Sequence, residues 1–144
     1  MCYTLLLSTS SSEDLSVQNC DLVRFEKEMP EHAPLDALRY PNIWFVGSRS
    51  GCSCSFRHLY SIELGFGEPA DWYPEEREDI AATLTFVKIV KSLLSRGEQV
   101  DCIDVWRQPE EVRLSSIEVD FGTIDEAEFR FFENHRFDFT MTIS

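Results

Sequence analysis

The sequence predicts an α+β protein in which helices pack on one face of a mostly antiparallel sheet. Short runs that alternate apolar and polar residues, typical of strands, recur along the chain, and one long stretch has the spacing of an amphipathic helix. The chain of 144 residues has the length of one ordinary domain, and 43% of its residues are hydrophobic, enough for a buried core. Because no stretch has the composition of a linker, we expect residues 1–144 to form a single domain.

The first half of the chain predicts three strands and one short helix. Residues 2–8 are mostly apolar and predict a buried strand, and residues 12–19 begin with a serine cap followed by acids, which favours a short helix. Residues 22–26 alternate and predict a second strand. Three prolines within residues 28–41 indicate a loop, after which residues 42–46 predict a third strand.

A long helix is predicted from about Pro74 to Arg96. Proline suits the first helical position, where its missing N–H group costs nothing. Acidic residues occupy the first turns and basic residues the later ones, an order that the helix dipole favours. Gly97 supplies a natural end, and apolar residues every three or four positions indicate a broad face that packs against a sheet.

Three more strands and a short helix complete the predicted order. Residues 100–106, 116–121 and 136–142 have the apolar and alternating composition of strands. A capping box at residues 123–126 predicts a short helix through about Phe132. The order is β-α-β-β-α-β followed by β-α-β, and its first six elements match the ferredoxin-like order.

The charge balance limits the partners that the protein is expected to bind. There are 26 acidic residues against 13 basic ones, a formal net charge of −13. Such a surface repels phosphate backbones and anionic lipid, so we expect neither nucleic-acid nor membrane binding. The sequence begins without the features of a secretory signal, so its five irregularly spaced cysteines are expected to be reduced thiols in a cytoplasmic protein.

The loop after the third predicted strand concentrates the groups that are able to do chemistry. Residues 47–58 read Gly-Ser-Arg-Ser-Gly-Cys-Ser-Cys-Ser-Phe-Arg-His. Cys52, Cys54 and His58 are candidate metal ligands, because two thiolates and an imidazole suit zinc. The second ligand pair that a structural zinc site usually shows is missing from the sequence, so the alternative is that no cofactor binds.

The same three residues are also candidates for thiol catalysis. Cys52 or Cys54 would be the nucleophile, and His58 would carry the proton. Arg57 would stabilise the thiolate by its charge. The thioredoxin arrangement is not present, because the long predicted helix begins about twenty residues after the cysteines.

A third hypothesis is an anion or small-ligand site in this loop. Gly51 and Ser50 leave backbone N–H groups available to an anion, and Arg49 and Arg57 add positive charge to an otherwise acidic protein. The alternative is a structural role, in which the glycines permit tight turns and the cysteines pack as small core residues.

Two residues outside the loop are further candidates for a ligand site. Trp72 lies among acids beside the start of the long helix and would form a pocket rim, or else pack beneath the loop. Asp104 shares a strand face with Cys102 and Trp106, where burial would raise the pKa of its carboxyl group. The alternative for Asp104 is a structural role at the end of the strand.

The sequence therefore favours a ligand-binding or regulatory protein with its site in the loop 47–58. A small anionic ligand is the expected occupant, and a protein partner or a homodimer formed through the Phe-rich C-terminus is an alternative. A thiol-dependent or metal-assisted enzyme is the second hypothesis. A structural interaction protein without an active site is the third.

Overall fold

The computed structural model describes residues 3–29, 35–48, 53–59, 65–67, 75–106 and 114–142. Within these residues the chain forms one long α-helix, α1 (Arg77–Ser95), together with short 3-10 turns and strands. The strands are β1 (Tyr3–Thr9), β2 (Val23–Glu26), β3 (Asn42–Ser48), β4 (His58–Leu59), β5 (Val100–Trp106), β6 (Ser115–Asp120), β7 (Phe131–Phe132) and β8 (His135–Thr140).

The main sheet has six strands in the order β2-β3-β1-β5-β8-β6. Four neighbouring pairs are antiparallel, and the edge pair β6–β8 is parallel, so the sheet is mixed. The two short strands β4 and β7 pair in parallel beside it. The predicted α+β class agrees with this architecture.

The ferredoxin-like order is not confirmed. Strand β1 lies between β3 and β5 and is antiparallel to both. The helix predicted at residues 12–19 is a single 3-10 turn, Leu15–Gln18. Strand β3 lies between β1 and β2, and the connection from Thr9 to Val23 contains this one turn in place of the predicted α-helix.

Helix α1 confirms the long amphipathic helix of the sequence, although it begins after residue 76. Gly97 adopts a φ angle of 85°, and its N–H group donates to the carbonyl of Leu94 at 3.0 Å. The N–H group of Glu98 donates to the carbonyl of Leu93 at 3.1 Å, which completes the hydrogen-bond pattern of a glycine C-cap. Among the described helices, none is both long and apolar enough to cross a membrane.

The two faces of the sheet are covered differently. The apolar face of α1 packs on one side, where strand residues such as Leu5, Val46 and Phe137 complete the larger core cluster. On the other side Leu6, Ile103 and Val105 form a smaller cluster. That cluster is covered by residues around the 3-10 turn Leu35–Ala37. The packing of all helices on one face is therefore not confirmed.

The helix predicted from the capping box at residues 123–132 is wrong beyond its first turn. Asp125 caps a 3-10 turn, Glu126–Glu128, by accepting a hydrogen bond from the N–H group of Ala127 at 2.9 Å. The chain then becomes extended, and Phe129, Phe131 and Phe132 are all buried. Aromatic burial against the sheet outweighs the local helix signal, because large rings contribute more to stability than a cap does.

Gly122 is required where the chain passes its own C-terminal segment. A Cβ atom at this position would overlap the carbonyl oxygen of Thr142. We expect Gly122→Ala to lower the free energy of unfolding by about 1–3 kcal/mol, because backbone must shift to remove the overlap. Gly67→Ala is the matched control, since the nearest atom to its Cβ would lie 3.9 Å away. Urea denaturation of both variants checks this, and equal stabilities would contradict it.

Candidate functional site

The structure describes part of the Gly47–His58 loop and several of the candidate residues. Gly47 and Ser48 are buried at the end of β3, and residues 53–58 lead into β4. Cys54 is half-buried. The candidates Arg49, Ser50, Gly51, Cys52 and Trp72 lie outside the described residues.

Ser53 fixes the described part of the loop to the central strands. Its hydroxyl oxygen accepts a hydrogen bond from the N–H group of Leu5 at 2.9 Å and donates one to the carbonyl of Val46 at 2.6 Å. The N–H group of Ser55 donates to the hydroxyl of Ser48 at 3.1 Å. Ser53 is fully buried, so these bonds are shielded from water.

The side chain of Arg57 is buried and hydrogen-bonded within the protein, so it is not an exposed basic group. It is 2% exposed, and its Nε and Nη2 atoms donate to the carboxylate of Glu75 at 2.7 and 2.8 Å. Its Nη1 atom donates to the carbonyl of Ala127 at 2.7 Å, and its Nη2 atom also donates to the carbonyl of Gly67 at 2.8 Å. The guanidinium group thus uses its donors within the protein, which removes the geometric basis for an anion contact by Arg57 in this arrangement.

The backbone of Arg57 is held as firmly as its side chain. Its N–H group donates to the hydroxyl of Thr83 on α1 at 2.9 Å, and its carbonyl accepts from the N–H group of Phe131 on β7 at 2.8 Å. One residue therefore connects the loop to the helix and to the parallel pair β4–β7.

Glu75 lies between two buried arginines. The Nη2 atom of Arg130 donates to its carboxylate at 3.0 Å, in addition to the two bonds from Arg57. Burial alone would raise the pKa of Glu75, but the hydrogen bonds and charges of Arg57 and Arg130 together outweigh it and lower that pKa. The carboxylate is therefore held in its charged form.

His58 and Asp104, two candidates chosen from distant parts of the sequence, are in direct contact. The Nδ1 atom of His58 lies 2.7 Å from the Oδ2 atom of Asp104, and its Nε2 atom is hydrogen-bonded to the carbonyl of Ser53. The ring of Tyr3 stacks on the imidazole with centroids 3.7 Å apart. Because a carbonyl only accepts, Nε2 carries a proton, and a second proton lies between Nδ1 and Asp104.

Asp104 is completely buried on β5, and the oxygen that contacts His58 is Oδ2. No hydrogen bond reaches its Oδ1 atom from the part of the chain that the structure describes. Burial raises the pKa of Asp104, and the charge and hydrogen bond of His58 oppose that effect. The predicted rise in the pKa of Asp104 is thus present, with desolvation as its main cause.

The metal and thiol hypotheses find limited support in the described residues. No group of three His, Cys, Asp or Glu side chains among them has the arrangement of a metal site, and Cys52 is not part of that set. Both nitrogens of His58 face acceptors already, so neither presents a lone pair to an ion. Burial, reinforced by the charges of Asp101 and Asp104, raises the pKa of the Cys102 thiol well above its ordinary value, which makes it a poor nucleophile.

Several residues of this region were not identified as candidates from the sequence. In the sequence Glu75 is only one of several acids at the start of the predicted helix, and Arg130 belongs to no motif. Glu133 lies in the tight turn between β7 and β8, and His135 begins β8 directly opposite Asp104 on β5. The one available signal was the clustering of ionisable residues around the short Phe-rich segment near the C-terminus.

Comparison with models of protein families, with curated proteins and with solved structures gave no match.

Proposed function

We propose that the protein binds a small ligand at the Gly47–His58 loop and that the His58–Asp104 pair forms the base of this site. The contact of 2.7 Å between these two buried groups is the observation that carries the proposal. Buried charged groups are expensive to desolvate and add little net stability. Their concentration beneath one loop is better explained by the need to hold that loop in one conformation.

A preorganised loop favours binding because less conformational entropy is lost when a ligand arrives. Ser53, Arg57 and His58 each connect the loop to a different part of the fold, namely the central strands, α1 and β5. The part of the loop that precedes Ser53 contains Arg49, Ser50 and Gly51, whose guanidinium and N–H donors suit a small anion. We therefore retain an anionic ligand as the proposed occupant of the loop.

A thiol-dependent enzyme is a weaker proposal. A catalytic histidine needs a ring nitrogen that is able to take a proton from the cysteine. The Nε2 atom of His58 instead donates to the carbonyl of Ser53. Zinc at Cys52, Cys54 and His58 would likewise require the histidine to leave both of its partners.

The proposal of an interaction protein built on exposed aromatics also has weak support. Phe129, Phe131, Phe132, Phe137 and Phe139 are all buried. A homodimer or another protein partner would need a different surface. Sedimentation at high protein concentration tests the homodimer alternative, and finding only a monomer would exclude it.

The test of the proposed function is a titration with inorganic phosphate, followed by amide NMR shifts. We expect saturable shifts at Gly47, Ser48 and residues 53–58, and Arg49→Ala is expected to weaken binding about tenfold, the equivalent of one charge-assisted hydrogen bond. Arg24→Ala is the control, because Arg24 is exposed on β2 and its ion pair with Glu26, at 3.9 Å, is exposed as well. Unsaturable shifts, or equal affinities of the parent and the Arg49→Ala variant, would overturn the proposal.

A further inference from the structure

A small cavity lies on the face of the main sheet that α1 does not cover. Its volume is about 140 Å³, and residues from β6, β8 and the segment before β3 line it, namely Arg39, Ser116, Ile117, Glu118, Arg136 and Asp138. On β8, Phe137 belongs to the larger core, so its neighbours Arg136 and Asp138 lie on the opposite face of the sheet. None of the lining residues belongs to the Gly47–His58 loop, so this cavity is a different place in the fold.

Arg136 is a buried arginine with one guanidinium nitrogen that has no partner among the described residues. It is 5% exposed, and its Nε and Nη2 atoms donate to the Oδ2 atom of Asp101 at 3.1 and 2.6 Å. Its Nη1 atom makes no hydrogen bond within the described part of the chain, yet that atom is not fully enclosed. Because Arg136 lines the cavity, we infer that Nη1 is open on that side. A guanidinium nitrogen with unused donors in a buried setting is a position for an acceptor.

Arg39 supplies a second guanidinium group, on a backbone that is held in place. The N–H group of Arg39 donates to the Oδ2 atom of Asp101 at 3.1 Å. The N–H group of Tyr40 donates to the hydroxyl of Ser8 at 3.2 Å, and that hydroxyl donates to Asp101. The side chain of Arg39 is 62% exposed, and its Nη1 atom lies 3.7 Å from the Oδ2 atom of Asp138, which is too far for a hydrogen bond. The backbone is thus fixed, while the guanidinium donors are available to a ligand.

Two carboxylates line the cavity together with these guanidinium groups. Glu118 on β6 and Asp138 on β8 are directly opposite each other in the strand register. Neither carboxylate accepts a hydrogen bond from the residues that the structure describes, and Asp138 lies 3.7 Å from both Arg39 and Arg136. Like charges in opposite positions on neighbouring strands repel each other. This arrangement therefore favours an additional positive charge beside the two acids.

The charges around the cavity select the kind of ligand. Asp101 balances the charge of Arg136, since the two are directly bonded. That leaves the single positive charge of Arg39 against the two carboxylates of Glu118 and Asp138. A ligand with an ammonium group beside the acids and a carboxylate beside the two guanidinium groups is complementary to both signs. An α-amino acid carries these two groups on one carbon atom, and the cavity exceeds the volume of several water molecules, enough for such a head group.

We propose that this cavity binds the ammonium and carboxylate head group of a free α-amino acid. The carboxylate of the ligand accepts hydrogen bonds from the Nη1 atom of Arg136 and from the guanidinium group of Arg39. The ammonium group donates to Asp138 and Glu118. This site is independent of anion binding at the Gly47–His58 loop, since the two use different residues.

A second, larger cavity indicates where the rest of the amino acid lies. It has a volume of about 470 Å³ and shares Arg39 and Asp138 with the first cavity, so the two adjoin at this ion pair. Tyr40, Leu94 and Met141 are among its lining residues. An amino acid with an apolar side chain suits the apolar part of this lining.

The test is a titration with L-leucine at neutral pH and constant ionic strength, followed by amide NMR shifts. Isocaproic acid, which lacks the ammonium group of leucine, and isoamylamine, which lacks the carboxylate, are the matched ligands. We expect saturable shifts at residues 116–118 and 136–140 with leucine. Each matched ligand is expected to bind at least about tenfold more weakly, because it loses the charge-assisted hydrogen bonds of one group.

Two single variants test the residues, and each is expected to weaken leucine binding about tenfold by removing one charge-assisted hydrogen bond. They are Arg39→Gln and Glu118→Gln. Both side chains are exposed and have no hydrogen bond to lose within the described chain, so both variants are expected to fold. Arg24→Gln and Glu26→Gln, which alter an exposed ion pair on β2, are the matched controls and should bind leucine as the parent does.

Three results would overturn the proposal. The first is the absence of saturable shifts at residues 116–118 and 136–140. The second is equal leucine affinity of the parent and either of the Arg39→Gln and Glu118→Gln variants. The third is that isocaproic acid or isoamylamine binds as tightly as leucine, which would show a site for a single charge rather than for a zwitterion.

Discussion

Replacing Glu75 with glutamine is expected to lower the free energy of unfolding by about 3–5 kcal/mol, the usual cost of removing one partner from a buried ion pair. Arg57 and Arg130, 2% and 5% exposed, both donate to this carboxylate. Glutamine keeps the shape and one acceptor oxygen but removes the charge that balances Arg57. Because Arg57 also holds the loop to α1 and β7, we expect the loop to loosen in this variant.

The matched control for this prediction is Glu26→Gln. Glu26 lies 3.9 Å from Arg24, and both side chains are about half exposed, 48% and 53%. An exposed pair of this kind contributes at most about 1 kcal/mol. Urea denaturation of the two variants gives the comparison. Equal losses of stability would show that the Arg57–Glu75–Arg130 cluster does not hold the fold together.

The same cluster predicts how stability depends on pH. The pKa of Glu75 is lower in the folded protein than in the unfolded chain, so the folded state binds this proton less readily. The stabilisation is therefore complete above the ordinary glutamate pKa of 4.5 and is lost as the pH falls through the lowered value. The Glu75→Gln variant should lack this part of the acid-induced loss.

Replacing His58 with phenylalanine is expected to cost about 3–5 kcal/mol at neutral pH, because it leaves Asp104 buried without its charged partner. Phenylalanine keeps the stacking on Tyr3, so the loss reports the polar contacts. Burial raises the pKa of Asp104, and without the opposing charge and hydrogen bond of His58 this pKa would rise further. A raised folded pKa gives stability at low pH that is lost as the pH rises through it. The deficit of the variant should therefore shrink on acidification.

The double variant His58→Phe/Asp104→Leu is the control for this second prediction. It removes both charges together, and replacing a buried pair with apolar residues is often neutral or stabilising. We expect the double variant to be more stable than His58→Phe alone at neutral pH. A pH-independent deficit in His58→Phe, or no deficit, would contradict the assignment of His58 as the partner of Asp104.

Local patterns in the sequence predict the main strands and the long helix well, but they overstate the two short helices, which are single 3-10 turns. Strand β5 (Val100–Trp106) is found with the predicted ends, and α1 differs from the predicted helix by a few residues. The main strands differ by one or two residues at their ends, because their alternation depends on neighbouring residues only. The two-residue strands β4 and β7 carry no such pattern, since their pairing is decided by burial of Phe131 and Phe132.

The candidate site is only partly visible in the sequence. His58 and Asp104 were each singled out, but they are 46 residues apart, and no local pattern indicates that they pair. The sequence predicts an anion contact for Arg57, because nothing in it shows that Glu75 and three backbone carbonyls take up the donors of this side chain. These contacts arise from tertiary packing, which places distant acids and bases together after the strands have formed.

The most direct test of the role of His58 is nitrogen-15 NMR of its ring in the folded protein at neutral pH. The structure predicts two slowly exchanging ring protons, one on Nε2 bonded to the carbonyl of Ser53 and one between Nδ1 and Asp104. The proton between Nδ1 and Asp104 should disappear in the Asp104→Leu variant. An unprotonated Nε2, or ring protons that exchange as rapidly as those of a solvent-exposed histidine, would contradict the role of His58 at the base of the site.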